Sequence, residues 1–122
     1  MSDPARQSLR SFLAMLECDG MLMRRGETVD PRFEVSAYLT EIWDGPAVLF
    51  ETLAGGTLPL VGNVLNSIER IAAGLGITKS GLQRKIIAAI DRPIPPRVVA
   101  AGPCQEVIVA DPDLGLLPIP IF

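Results

Sequence analysis

The sequence of 122 residues contains no histidine, two cysteines and two lysines, and aromatic residues make up 5% of it. The absence of histidine excludes Ser-His and Cys-His nucleophile pairs and every metal site that depends on histidine ligands. The formal net charge of −3 argues against a nucleic-acid partner, because phosphates require a basic surface. Neither lysine follows a glycine, so the sequence contains no phosphate-binding P-loop motif.

The two cysteines, Cys18 and Cys104, are too far apart to form a Cys-x-x-Cys metal site and too few for a disulfide framework. We expect both to be reduced and buried as small apolar residues. The first six residues are polar and do not form a signal peptide. The longest uncharged apolar stretch, residues 52–68, is interrupted by glycine and proline, which excludes a membrane span. These features predict a cytoplasmic protein.

What is present is a large apolar fraction, 48% of the residues, which is enough to bury the core of one domain. Apolar spacing of three and four residues, with capping residues before it, predicts four helices. The expected N-caps are Ser8, Asp30, Asn66 or Ser67, and Thr78. The helices that follow them are expected at about 9–16, 31–42, 68–75 and 82–90.

Short apolar runs between turn residues predict four strands, at 21–25, 47–51, 58–61 and 104–110. Residues 92–96 are proline-rich and predict an extended spacer. The order of elements indicates an α/β (mixed α+β) fold, a small layered domain of about four short strands and four helices. The predicted core consists of Leu13, Leu16, Leu39, Ile42, Leu49, Ile71, Ile86, Ile90 and Val107.

The residues that could carry chemistry are scattered along the chain. Glu34 and Glu41 share a helix face and are expected to be solvated. Asp111 and Asp113 flank a proline and predict a turn, because the further oxygen ligands of a calcium loop do not follow them. Tyr38 and Trp43 lie on or beside an apolar stripe and are expected at the core or at an interface. The residues alone therefore indicate no catalytic, cofactor-binding or metal-binding residue.

The last segment, residues 111–122, is apolar and interrupted by proline. We expect it to be exposed, to favour self-association or a partner chain, and to continue into something longer.

Several segments, in order along nearly the whole chain, resemble the UbiD family of decarboxylases. The C-terminal third resembles the family's proline-rich approach, its GPCQEV segment and its LPIP segment. The earlier part is similar to its opening LRxFLxxLE helix, its GPAxLFE strand and its GNxxxSxERxA turn and helix. The corresponding segments here are 8–20, 45–51, 61–76, 93–109 and 113–120, and residues 22–31 are similar to the family's LxR…VDP entry.

This resemblance implies a reversible, non-oxidative decarboxylase of aromatic or α,β-unsaturated carboxylic acids that uses prenylated FMN, manganese and potassium. In such enzymes the flavin carries the difficult step as an electron sink. The family's Arg-Glu-Glu proton-transfer set, its metal ligands and most flavin contacts lie after the LPIP segment, so no catalytic residue of the family maps onto this sequence. The resemblance thus implies an N-terminal α/β domain at 1–110 and an apolar tail at 111–122 that leads into the flavin-binding domain.

Two functions follow from this. In the first, the chain is the N-terminal portion or a subunit of a UbiD-like decarboxylase and is not catalytically complete alone. Its partner is then the remainder of that enzyme or a catalytic subunit, in a homo- or hetero-oligomer. In the second, it is a stand-alone binding or assembly module derived from that domain. The coding DNA that follows would distinguish them.

Overall fold

The computed structural model describes residues 8–122, so the prediction made for the first six residues lies outside the described part of the chain. Four helices and a three-stranded sheet form a mixed α/β fold, as predicted. The elements are α1 (Leu9–Cys18), β1 (Leu22–Val29), α2 (Glu34–Glu41), β2 (Ala47–Leu53), β3 (Leu60–Gly62), α3 (Ile68–Gly74) and α4 (Leu82–Asp91). Short 3₁₀ turns occur at Lys79–Gly81, Pro103–Gln105 and Leu114–Leu116.

The sheet has the order β1-β2-β3, with β1 parallel and β3 antiparallel to β2. Parallel strands need a crossover, and α2 provides it, so β1, α2 and β2 form a β-α-β unit. Strand β1 continues through Gly26, where the sequence predicted its end, with an irregular register between Arg25 and Thr28. Strand β3 begins at Leu60, two residues later than predicted, because Pro59 has no N–H to donate to a ladder.

The core lies between α2 and the sheet. Its buried residues come from β1, α2 and β2, and half-buried side chains of α2 and β3 pack around them. The members are Val29, Val35, Val48, Phe50 and Leu53, surrounded by Tyr38, Leu39, Ile42 and Leu60. Leu16 of α1 is also fully buried, as predicted. Five of the other predicted core residues are half-buried: Leu13, Leu39, Ile42, Leu49 and Ile71.

The predicted starts of α1 and α3 are confirmed by their N-caps. The side chain of Ser8 accepts a hydrogen bond from the backbone N–H of Ser11, and that of Ser67 from the N–H of Arg70. Each side chain satisfies one of the N–H groups that a helix start leaves without a partner. Ser67, rather than Asn66, is therefore the cap of α3.

Helix α2 begins three residues later than predicted. Asp30 does not cap it; its carboxylate accepts from the N–H of Arg32 at 2.8 Å, and its own N–H donates to the Glu34 carboxylate. The residue before the helix is Phe33, with φ = 66°. The left-handed region is unfavourable for a bulky side chain, so the corner between Asp30 and Glu34 holds local strain.

The C-terminal quarter differs most from the prediction. Residues 104–110 do not form the predicted strand, and within residues 8–122 they pair with no strand of the sheet. Ile86, Ile90 and Val107, predicted for the core, are 46%, 73% and 80% exposed. Both cysteines are exposed, so their predicted burial is also wrong. We refer to residues 92–122 as the arm.

The end of the arm returns to the body at the α2 corner. Ile121 forms a parallel bridge with Arg32. The carbonyl of Ile121 accepts from the N–H of Phe33 at 2.9 Å and from the buried hydroxyl of Ser36 at 3.0 Å, and the N–H of Ile121 donates to Pro31 at 3.0 Å. The arm is therefore tied to the body at both ends.

Candidate functional site

The acidic side chains are dispersed over the described surface. Within residues 8–122 there is no group of three or more histidine, cysteine, aspartate or glutamate side chains placed to hold a metal ion. Glu34 accepts a hydrogen bond from the Asp30 N–H, and Asp113 caps the 3₁₀ turn through the N–H of Gly115. Glu34 and Glu41 are exposed. These carboxylates therefore do not converge on a common point.

One ion-pair network joins α1 to the sheet. Arg24 of β1 donates to Glu17 of α1 at 2.5 and 3.0 Å and to Glu51 of β2 at 2.8 Å. The hydrogen bond from Arg24 lowers the pKa of Glu17, and the bonds to both glutamates raise the pKa of Arg24. All three side chains are between 42% and 49% exposed, so the network is a solvated clamp and contributes little to stability.

A second cation lies over an aromatic ring. The Arg25 guanidinium carbon is 4.2 Å from the centre of the Tyr38 ring. The same guanidinium forms a salt bridge at 2.5 Å with Glu27, two residues further along β1. The Tyr38 ring meets Phe50 edge-on at 5.9 Å. Tyr38 thus belongs to the edge of the core, as predicted. Trp43 is 62% exposed, which places it at the surface.

Among the described residues, Arg70 is a charged side chain that is buried. It lies on the first turn of α3 and is 6% exposed. Its Nη2 donates to the Gly45 carbonyl at 3.0 Å and to the side-chain oxygen of Asn66, while its Nε has no partner. The Asn66 amide donates in turn to the Trp43 carbonyl. Within residues 8–122 no carboxylate lies within ion-pair distance of Arg70.

Asn63 extends this arrangement to the end of α2. Its side-chain amide donates to the carbonyls of Leu39 at 3.0 Å and Ile42 at 3.4 Å. Asn63 has φ = 54°, a left-handed conformation that asparagine tolerates better than most residues. Together, Asn63, Asn66 and Arg70 bind carbonyls at the C-terminus of α2 and in the following turn. We call these three residues the amide clamp; it fixes how α3 lies against the turn from α2 to β2.

Sequence reasoning missed the amide clamp. It treated Asn66 as an alternative cap and did not single out Arg70. The available signal was the spacing of Asn63, Asn66 and Arg70, three and then four residues apart, which brings them together once a turn leads into a helix. The clamp positions the backbone and contains no pair of groups that could act as acid and base.

An apolar groove of about 450 Å³ lies between α1 and α3. Its lining residues are Ser8, Leu9, Phe12, Leu65, Ile71, Gly74 and Leu75. A Cβ at Gly74 would be 3.3 Å from the Phe12 ring, so glycine allows the two helices to approach closely. None of these lining residues is charged.

The arm exposes many of its large apolar side chains. Ten of its large apolar side chains are more than half exposed: Ile94, Val98, Val99, Val107, Ile108, Val109, Leu114, Leu116, Ile119 and Phe122. No helix in the described part of the chain is both long enough and apolar enough to cross a bilayer.

Comparison with known proteins connects this fold to one family. The family model described as the 3-octaprenyl-4-hydroxybenzoate carboxy-lyase N-terminal domain matches residues 13–90, more than half of the chain. The chain is also similar to the UbiD-class enzyme HmfF from Pelotomaculum thermopropionicum, solved as an evolved dimeric form in complex with prFMN. That similarity has a TM-score of 0.83 at 35% identity and covers 93% of this chain and 28% of HmfF.

A second solved relative is the vanillic acid decarboxylase of Sedimentibacter hydroxybenzoicus in its closed form. The TM-score is 0.73 at 33% identity, over 88% of this chain and 25% of that one. The chain thus spans only about a quarter of the length of these solved relatives. The matched family model, the shared fold and the motifs from the GPAxLFE strand to the α3 turn agree: the chain belongs to the UbiD family, through the N-terminal domain of its carboxy-lyases.

Proposed function

We propose that this chain serves as the N-terminal domain of a UbiD-like non-oxidative decarboxylase of aromatic or α,β-unsaturated carboxylic acids. The observation that carries the proposal is the similarity to HmfF over 93% of the chain at a TM-score of 0.83. The vanillic acid decarboxylase, which acts on an aromatic acid by its name, supports the substrate class. In this proposal the domain is a structural component and the chemistry belongs to the remainder of the enzyme, in the cytoplasm.

We also propose that the flavin cofactor binds to the remainder of the enzyme and not to this chain. A UbiD-class flavin, with the manganese and potassium that the resemblance implies, needs ligands for its phosphate and its metal ions. The described residues do not fit that group: the carboxylates are dispersed, and the buried Arg70 is occupied with the Gly45 carbonyl and Asn66. We therefore assign prenylated FMN, whose adduct would supply the electron sink, to the remainder of the enzyme.

The division of the chain at residue 110 is also a proposal. The matched family model lies wholly within residues 1–110, and residues 111–122 are exposed apart from Pro118 and Pro120, which are partly buried. We propose that residues 1–110 act as the N-terminal domain and that 111–122 lead towards the flavin-binding part. The partner is that part, on the same chain or as a catalytic subunit of an oligomer.

The direct test is turnover by the purified 122-residue chain. It is incubated with prenylated FMN, manganese and a panel of aromatic and cinnamic-type acids, and CO₂ release is measured against a blank. No release and no flavin retained after gel filtration are expected. Turnover above the blank would contradict the proposal. Reading the coding DNA after codon 122 and in neighbouring frames tests the partner, since a UbiD-like catalytic region is expected there.

A further inference from the structure

The arm is built as an ordered strap without a core of its own. Within residues 92–122 only Gly102, Pro118 and Pro120 are partly buried, and every other residue is exposed. Its start continues α4 through a hydrogen bond from the Arg92 N–H to Ala88, and its end is tied by Ile121 to the α2 corner. Because the segment is held at both ends and is almost fully exposed between them, its apolar side chains face solvent.

The sequence of the arm restricts its backbone before anything binds it. Seven of the eleven prolines of the chain lie in the arm. Proline fixes φ and lowers the number of unbound conformations, so less entropy is lost when the segment docks. The charged residues of the arm are Arg92, Arg97, Glu106, Asp111 and Asp113. With two positive and three negative charges, the arm suits an apolar protein surface and not a polyanion or an anionic membrane.

The similarity to solved relatives indicates what that surface is. The match to HmfF covers 93% of this chain, about 113 residues, and only 91 residues precede the arm. At least about 22 of its 31 residues therefore match the HmfF structure. In HmfF, 72% of the chain lies outside the matched region, since the match covers 28% of it. The arm, although it has no internal packing, therefore has a conformation similar to that of the matching segment in the much longer HmfF chain.

From these observations we infer that the arm is a docking strap for the flavin-binding remainder of a UbiD-class decarboxylase, and that its exposed apolar side chains pack on that remainder. This inference rests on the proposed function and extends it by naming the interacting surface. The anchor at Ile121, held by Phe33 and Ser36, sets the position of the strap relative to the body.

The two cysteines provide an internal comparison that requires no substitution. Cys104 lies on the arm and Cys18 on α1, and both are exposed in this chain. The 122-residue chain is grafted onto HmfF in place of the region it matches, and thiol labelling at each position is followed by peptide mass spectrometry. In the isolated chain both thiols should label. In the graft, labelling of Cys104 should be at least tenfold slower than in the isolated chain, while the rate at Cys18 changes less than twofold.

Substitutions provide an independent measurement. Ile108→Asp and Leu116→Asp alter side chains that are 83% and 65% exposed, so the thermal midpoint of the isolated chain should not change. In the graft, the same changes should lower the yield of monodisperse, flavin-loaded protein at least fivefold, because a charge would be buried at the contact. The matched control is Leu58→Asp, in the loop before β3 and 49% exposed, which should leave the yield of the graft unchanged.

The outcomes separate the inference from the proposed function. Equal labelling of Cys104 in both proteins, or grafts that tolerate both aspartates, would overturn the inference and leave the function standing. An isolated chain that dimerises through the arm, with grafts that tolerate both aspartates, would assign the surface to a second copy and would also overturn it. If the unsubstituted graft fails while a graft of the matching region of the vanillic acid decarboxylase succeeds, the proposed function itself fails.

Discussion

Removing the guanidinium of Arg70 should lower the free energy of unfolding of the domain substantially, although Arg70 lies on a short helix. Arg70→Ala deletes the donor to the Gly45 carbonyl and to Asn66, and it empties a site that is 94% buried, the complement of its 6% exposure. The Asn66 amide would then hold the Trp43 carbonyl without support from Arg70.

The magnitude follows from the two acceptors and the lost stem. Each acceptor left without a donor costs about 1 kcal/mol at a half-buried position. Removing the buried stem adds about 0.8 kcal/mol for each methylene. Relief of the desolvated charge, whose Nε has no partner, offsets part of this cost. The free energy of unfolding should therefore fall by about 2–3 kcal/mol. Arg70→Met, which keeps the stem and removes the charge, should cost about 1 kcal/mol less.

Urea denaturation followed by tryptophan fluorescence measures this change. Trp43 is the single tryptophan of the chain and belongs to the turn that the clamp holds. A loss of 2–3 kcal/mol should lower the urea midpoint by about 1–2 M without a change in slope. Arg84→Ala, at an exposed arginine of α4, is the matched control and should stay within about 0.5 kcal/mol of the original chain. An Arg70→Ala chain as stable as this control would refute the role assigned to the clamp.

Three further predictions concern the body. Gly62→Ala should cost about 1–3 kcal/mol in urea denaturation, because a Cβ there would be 2.4 Å from a methyl carbon of Leu39; a midpoint equal to the original would show that Leu39 moves aside freely. Ser67→Ala should cost about 1 kcal/mol and lower helical circular dichroism, and an unchanged midpoint would disprove the cap. Glu17→Gln should reduce stability slightly at pH 7 and low salt. The hydrogen bond from Arg24 holds the folded-state pKa of Glu17 below its ordinary value of 4.5. The contribution of Glu17 to stability is therefore present above pH 4.5 and is lost as the pH falls through the folded-state pKa. A stability difference between the original chain and Glu17→Gln that grows on acidification would contradict this assignment.

The parts of the fold that depend on local spacing could be predicted from the sequence. The apolar residues of α1 recur every three to four positions and are framed by Ser8 and Gly20, and both limits are set within a few residues of chain. Strand β2 lies between breakers, and its first four residues, Ala47–Phe50, are apolar on both faces, as in a central strand. In such segments local preference and tertiary packing favour the same structure.

The errors arose where a distant partner decides the structure. Residues 107–109 have high β propensity, but a strand also needs a neighbour, and none is available to them within residues 8–122. The start of α2 is displaced because Asp30 binds the N–H of Arg32 and because Phe33 adopts a positive φ, which no spacing rule anticipates. The amide clamp likewise joins residues about 20 positions apart, so its acceptors become visible only in the folded chain.

Decarboxylation by HmfF that carries this chain as its N-terminal region tests whether the chain is a UbiD-class N-terminal domain. We expect the graft to retain prenylated FMN through gel filtration and to decarboxylate HmfF's own substrate, while the 122-residue chain alone does neither. The parallel graft of the vanillic acid decarboxylase region controls for tolerance of a foreign domain. A flavin-free, inactive graft beside an active control would contradict the account.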